Sequence, residues 1–301
     1  MIRMLVKPGL ISLLLMSGLL LLLSCSNVTL QNWSQGTSFY CTSFLELDGG
    51  TMLALRSRDG THFDPVGSFT DPRLADPFSI DIQNTWWLVY SESFNHLYPV
   101  LTFGIAKSTD GGDTFTWQQD YPPAVGNSCY EVGTPKFAIN EDGTPYSDAD
   151  GYHLFFECFA NQSFNHIGFY EIHTSDLVHW STPAVKVDTS DLPESMQNPV
   201  VIARNGTFFL WYKNEPKWTI EYARSASLLG PYASVKQGDW AGWGSTWDSE
   251  WLLKTGTNQW TIYLMNPMSF STSNDNWKTW TKPRRVDPDG LRNGNITLVN
   301  P

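Results

Sequence analysis

The sequence predicts an all-β chain, a five-bladed β-propeller of four-stranded antiparallel blades whose ring is closed by the C-terminal strand joining the N-terminal blade. Three observations lead there. A unit of strand, polar turn and aromatic strand recurs along the chain. Nine positions separate the first-strand anchor from the second-strand aromatic in three units: Pro77 to Trp86, Pro199 to Phe208 and Trp251 to Trp260. The two ends of the chain hold complementary pieces of one more unit. A single unit of this kind cannot bury its apolar faces alone, so copies must stack, and self-similarity at this period indicates a propeller or a solenoid.

The clearest unit is Ala75 to Tyr90, two strands joined by a polar turn, the first opening with Asp76-Pro77 and the second carrying Trp86-Trp87 in an apolar run. Phe103 to Lys107 continues it. The run Ser108-Thr109-Asp110-Gly111-Gly112-Asp113-Thr114-Phe115 then fits the Asp-box pattern of sialidase-type propellers, in which short polar side chains bond the backbone of a turn. The second unit opens at Gly133-Thr134-Pro135-Lys136-Phe137, is lengthened by the Asp/Gly-rich segment 140–151, and resumes through Tyr152 to Cys158. The third opens at Gln197-Asn198-Pro199-Val200, turns at Asn205-Gly206 and continues with Thr207 to Tyr212. The fourth comprises Ser249-Glu250-Trp251, Trp260 to Leu264 and Ser273 to Trp277. Leu291 to Val299 supplies the first strand of a fifth unit, and Phe39 to Phe63 supplies the rest, so joining them closes the ring and removes its open edges.

Composition agrees with a β-rich globular chain: of 301 residues, 14% are aromatic and only 16% charged. A net charge of −11 argues against a nucleic-acid partner, which calls for clustered Lys and Arg against phosphate. A neutral glycan suits that balance. Arg3 and Lys7 precede an apolar run from Gly9 to Leu23 that ends in Ser24-Cys25-Ser26, the pattern of an export signal over residues 1–25. Leu22-Leu23-Ser24-Cys25 also resembles a bacterial lipobox, so lipid anchoring at Cys25 and plain cleavage both stay open. Residues 26–38 then read as a linker and 39–301 as the propeller. The product is expected to be a secreted, periplasmic or lipid-anchored monomer, touching membrane only through its signal or anchor.

Beyond Cys25 stand Cys41, Cys129 and Cys158, an odd number. A Cys129–Cys158 bridge is open to the chain, but Cys158 within Phe155-Phe156-Glu157-Cys158-Phe159 reads first as a buried strand residue. The six His residues show no metal-ligand spacing such as His-Glu-x-x-His, and no metal ligand is expected. Gly-x-Ser-x-Gly and a Gly-rich phosphate cradle are likewise missing from the sequence.

The ordered openings Ala75-Asp76-Pro77, Thr134-Pro135-Lys136, Asn198-Pro199-Val200, Ser249-Glu250-Trp251 and Arg292-Asn293-Gly294 resemble those of glycoside hydrolase family 43, in the arabinanase–sucrase clan of five-bladed propellers. The resemblance implies inverting hydrolysis of arabinose- or xylose-containing glycans, with an oligosaccharide or polysaccharide as the partner. It matches Asp76 to the general base and Glu250 to the general acid. Asn198 falls where the family has a carboxylate that orients the acid, and Arg292 in the substrate-contacting region, with Thr134 and Glu131 alongside. Lys136 replaces an Asp, and Asn293 replaces a His often linked to a central calcium, so no cofactor is expected. Inverting hydrolysis needs a carboxylate to activate water and a protonated carboxyl to release the leaving oxygen, roughly 6.5–9.5 Å apart. First-strand starts of different blades converge at a propeller's axis, which would bring such residues together. Trp240, Trp243 and Trp247 lie on a Gly-rich loop before a blade opening, where they stack on sugar rings or pack under the loop. Two further readings follow: a glycan-binding propeller without hydrolysis, favoured by Asn198, and a retaining sucrase-like or glycosyltransferase-associated propeller using Asp76 and Glu131.

Overall fold

Alternation of apolar and polar residues over five to nine positions, broken by Gly, Asn and Asp turns, produces strands and no helix among the described residues. The computed structural model describes residues 39–299 apart from 46–49, 93–100, 127–128, 162, 164, 246, 248–249, 266–267 and 288–290. The expected export signal, Cys25 and the linker lie outside the described residues. Among the described residues no helix is long and apolar enough to cross a membrane.

Five antiparallel sheets are arranged as the five blades. The first stretch of chain gives β1 (Phe39–Leu45), β2 (Thr51–Ser57) and β3 (Asp64–Thr70), and the next blade is β4 (Ala75–Ile82), β5 (Thr85–Ser91), β6 (Phe103–Ser108) and β7 (Thr116–Tyr121). The following blade is built on β8 (Glu131–Phe137), with β9 (Ile139–Asn140) and β10 (Ser147–Asp148) in the Asp/Gly-rich excursion, then β11 (Gly151–Phe159), β12 (His166–Thr174) and β13 (Val185–Lys186). Next come β14 (Met196–Arg204), β15 (Thr207–Asn214), β16 (Thr219–Ser225) and β17 (Ala233–Lys236), then β18 (Glu250–Lys254), β19 (Trp260–Leu264), β20 (Ser269–Ser273) and β21 (Arg284–Arg285). The last strand, β22 (Leu291–Leu298), pairs antiparallel with β1 from Phe39↔Leu298 to Leu45↔Leu291, closing the ring as expected.

The excursion adds two short strands to the four-stranded plan. Strand β10 continues the edge of β11 beyond the end of β8, and β9 pairs parallel with β14, tying one blade to the next. Asn295 on β22 does the same at the closure. Its carboxamide oxygen accepts from Thr42 Oγ1 and the Ser79 amide, each at 2.7 Å, and its Nδ2 donates to the Ser79 carbonyl at 2.6 Å.

Each third strand ends on a hydroxyl that caps the turn to the fourth. Gly112 N donates to Ser108 Oγ at 2.9 Å and Thr114 N to Asp110 Oδ1 at 3.0 Å, the geometry the Asp-box pattern calls for. Ser57, Thr174 and Ser273 repeat it, accepting from Gly60, Leu177 and Trp277 at 2.9, 2.8 and 3.0 Å. Ser225 keeps the hydroxyl without the Asp, accepting from Ser227 N at 3.0 Å. The period read in the sequence is thus a period of turn chemistry.

Cys129 and Cys158 are joined by a disulfide, with Cα atoms 5.6 Å apart, while Cys41 is a buried free thiol. The expectation of Cys158 as an unbridged strand residue is therefore corrected. The residue is buried in β11 and bridged as well, because β8 and β11 pair in a register that sets Val132 opposite Cys158, three positions from Cys129.

Close packing within the β4–β7 blade leaves no room at Gly104, directly opposite Tyr90, where a Cβ would lie 2.0 Å from the Tyr90 ring. Tyr90 cannot easily yield, since its hydroxyl donates to Asp71 Oδ2 at 2.8 Å in a buried setting. Gly104→Ala is expected to destabilise the chain by about 1–3 kcal/mol, read as a lowered urea midpoint at unchanged m value.

Candidate active site

Three blades open with the same backbone device. Asp76, Thr134 and Asn198, each followed by proline, have φ of 46°, 45° and 59°, in the left-handed region that non-glycine residues seldom occupy. In each blade the ladder skips at that point, between Ala75 and Phe78 on β4, around Gly133 to Lys136 on β8, and between Gln197 and Val200 on β14. This is a β-bulge, and it re-aims the side chain that carries it. Left-handed non-glycine backbone costs of order 1–3 kcal/mol per residue, and such strain concentrates where a side chain must be presented. The fourth opening differs. Glu250 starts β18 in regular pairing with Leu264, because Trp251 stands where the others have proline.

The openings converge. Phe78, two residues beyond Asp76, meets Trp251, the residue after Glu250, at a ring separation of 5.0 Å, and Phe137 of β8 at 6.1 Å. Inner strands from three blades therefore close on one aromatic plug, with Asp76, Thr134 and Glu250 each one to three residues along the chain from one of its rings.

Around them lie charged residues from the second strands. Glu157 on β11 is fully buried and accepts from Thr134 Oγ1 at 2.8 Å and from the Asn198 amide at 3.2 Å. It thereby fastens two of the left-handed openings to one carboxyl group. Lys213 on β15 is buried too, its Nζ 2.6 Å from Glu215 Oε2, 3.3 Å from Gln197 Oε1, and 3.9 Å from the Trp218 ring centroid. Register explains the pattern: Ser91, Glu157 and Lys213 sit opposite Ala75, Gly133 and Gln197, the residues just before the three bulges. Ser91 Oγ donates to Asp76 Oδ2 at 3.3 Å. Sequence reasoning passed over Glu157 and Lys213. The signal for both was a lone charge inside an apolar strand, Phe156-Glu157-Cys158 and Tyr212-Lys213.

Burial governs the protonation of the two acids. It pushes the Glu157 carboxyl up to about 8, with the Asp76 charge adding to the rise while Thr134, the Asn198 amide and Lys136 oppose it. It pushes Glu250 up to about 8 as well, against the pull of Lys136 and Lys213. Neither Glu250 oxygen has a hydrogen-bond partner among the described residues. Both acids thus hold a proton near neutrality, while Asp76 is partly exposed. Because the folded chain keeps these protons and the unfolded chain loses them near the ordinary 4.5, stability should fall as pH rises from about 4.5 to about 8. Urea midpoints across that window should decline for the wild type and stay flatter for Glu157→Gln combined with Glu250→Gln.

Glu131 is buried at the start of β8, next to the Cys129–Cys158 bridge. Lys136 is buried, and its charge acts on both Glu157 and Glu250. Trp243 and Trp247 are 8% and 9% exposed, with Trp243 Nε1 donating to Ser271 Oγ at 3.1 Å and Trp247 Nε1 to the Trp243 carbonyl at 3.3 Å. Trp243 packs between Trp240 and Trp280, at 5.6 and 5.3 Å, as part of the core. The backbone of Arg292 belongs to β22, and its side chain, like that of Asn293, lies outside the described residues. Two open cavities elsewhere, of about 620 Å³ beside His166, Lys186 and Glu194 and about 410 Å³ beside Asp81 and Asn84, include none of Asp76, Glu157 or Glu250. The carboxylates, not the surface hollows, define the candidate site.

No protein-family model and no curated protein matches the sequence. Solved structures do match in fold. An α-L-arabinanase of Penicillium chrysogenum, in complex with arabinobiose, aligns at TM-score 0.54 and 14% identity over 87% of this chain and 90% of its own. An arabinanase of Bacillus subtilis aligns at 0.53 and 17% identity, over 88% and 91%. An exo-β-1,3-galactanase of Phanerochaete chrysosporium, bound to β-1,3-galactotriose, aligns at 0.54 and 12% identity over 73% of this chain, which spans only 51% of that enzyme. At these identities the likeness is one of fold.

Proposed function

We propose that this chain is a glycoside hydrolase that cleaves arabinose- or xylose-containing glycans with inversion, Asp76 acting as general base and Glu250 as general acid. The observation that carries the reading is the meeting of the Asp76 and Glu250 strands through Phe78 and Trp251, with Asp76 partly exposed and Glu250 buried and proton-holding. Two carboxyl groups in environments that separate their protonation are the requirement of acid–base hydrolysis. In this scheme Asp76 takes a proton from water as the water attacks the anomeric carbon, and Glu250 gives its proton to the departing oxygen. Glu157 serves as a positioning residue. It fixes the Thr134 side chain and the Asn198 backbone at two of the blade openings. Fold likeness to enzymes acting on arabinan and galactan favours a furanose or pyranose polymer as substrate, but one scaffold hosts many chemistries. Export through the N-terminal signal belongs to the same proposal, whether the chain is then cleaved or anchored at Cys25. The Cys129–Cys158 bridge suits an oxidising compartment.

A second reading, a propeller that holds a glycan without cleaving it, draws on the amide at Asn198 and on the complete burial of Glu250. A panel of chromogenic glycosides, with the anomeric configuration of the product followed by NMR, separates these. Release of sugar with inversion supports the first, binding without turnover supports the second, and retention with loss of activity in Glu131→Gln points to the sucrase-like alternative.

A further inference from the structure

We infer that His153, Glu171 and His173 form a zinc-type divalent metal site in the blade built on β8, distinct from the carboxylate centre. The three residues share one face of the β11–β12 pair. In an antiparallel ladder directly opposed residues point the same way, and His153 is opposite His173 while Phe155 is opposite Glu171. Glu171 and His173, two positions apart on β12, therefore project beside His153. One ligand atom from each lies within 4.8 Å of the others, with Glu171 Oε1 at 2.7 Å from His153 Nδ1 and 3.3 Å from His173 Nδ1.

Two further features fit a metal better than a plain ion pair. Asp148 Oδ1 lies 2.9 Å from His153 Nε2, so with a metal on Nδ1 that carboxylate would accept the Nε2–H and hold the ring in the ligating tautomer. A carboxylate on the outer nitrogen of a ligating imidazole is the usual way its tautomer and ring plane are fixed. His153 and Glu171 are buried, whereas the His173 side chain is 32% exposed, so the cluster has a closed side and an open one. Two imidazoles and one carboxylate with an open fourth position suit Zn²⁺, with water completing a tetrahedron. Backbone bonds hold the frame, since Ala138 N donates to the His153 carbonyl and Ser181 N to the His173 carbonyl, both at 2.8 Å.

Glu157 lies four residues along β11 from His153, about 13 Å at the ordinary strand rise of about 3.3 Å per residue. The two centres are separate, and the metal site does not depend on the hydrolase reading. Its consequence is mechanical: a bound ion would clamp β11 to β12 and, through Asp148, fasten the 140–151 excursion to the blade.

The test uses the untagged full chain titrated with Co²⁺ after chelator treatment, followed by Zn²⁺ displacement. Wild type is expected to give visible d–d bands saturating at one Co²⁺ per chain, abolished by one equivalent of Zn²⁺, and a Zn²⁺-dependent rise in melting temperature. His173→Ala, at the exposed edge, should fold and lose the bands. Asp148→Asn should keep the stoichiometry while binding roughly 10–100-fold more weakly. His179→Ala, an exposed histidine elsewhere, should bind as wild type does. A wild type without bands or melting shift overturns the proposal, as does a folded His173→Ala that binds with unchanged affinity.

Discussion

Replacing Asp76 by Asn is expected to lower kcat/KM on aryl arabinosides or xylosides by roughly two to four orders of magnitude while leaving the melting temperature close to wild type. The side chain already sits at a strained bulge, and asparagine tolerates left-handed backbone at least as well as aspartate, so the fold should accept the change. What the amide cannot do is take a proton from water. Ser91 Oγ can still hydrogen-bond the amide oxygen, so orientation is preserved and basicity alone is removed. Glycan binding, followed by tryptophan fluorescence or calorimetry, should survive within a few-fold. An Asp76→Asn protein that hydrolyses at the wild-type rate would end the assignment of the base, and Thr134→Ala would then show whether the blade openings matter for turnover at all.

The second large effect concerns the acid and depends on the leaving group. Glu250→Gln should lose roughly two to four orders of magnitude on substrates with a sugar leaving group, and much less on dinitrophenyl glycosides, whose phenolate departs without a proton. The pH profile carries the sharper distinction. An acid pushed up to about 8 must be protonated to act, so wild-type kcat/KM should fall as pH rises through about 8. That alkaline limb should be missing from Glu250→Gln. Glu157 is raised to a similar value, so the pair of variants decides between them. If Glu157→Gln removes the limb and Glu250→Gln retains it, the acid is Glu157 and the roles must be exchanged.

The openings Asp76-Pro77, Thr134-Pro135 and Asn198-Pro199 were legible because a bulge before proline leaves a local mark in the sequence, and the structure gives all three the same left-handed φ. Glu250 was legible through the spacing of Trp251 to Trp260 and the order of the blade openings, without a proline to mark it, and its strand pairs regularly without the bulge. Trp243 and Trp247 show the limit of reading a loop by composition. A Gly-rich stretch with indoles looks the same whether the rings face a sugar or a neighbouring blade, and here both are largely withdrawn from solvent. The charges at Glu157 and Lys213 interrupt apolar strands visibly, yet nothing local says that they face the bulges of the strand beside them.

What the sequence by itself determined is whatever depends on neighbours a few residues away: strand alternation, the hydroxyl-capped turns at Ser57, Ser108, Thr174 and Ser273, and a repeat whose two ends complete one blade. Tertiary structure alone decided what depends on register between strands. It joined Cys129 to Cys158, brought Glu157 to Thr134 and Asn198, and gathered His153, Glu171 and His173 on one face. The physical reason is that side chains on a sheet alternate with a period of two, so a one-residue slip in pairing would send each of these groups to the opposite face. That choice is made by packing between strands, and no single strand records it.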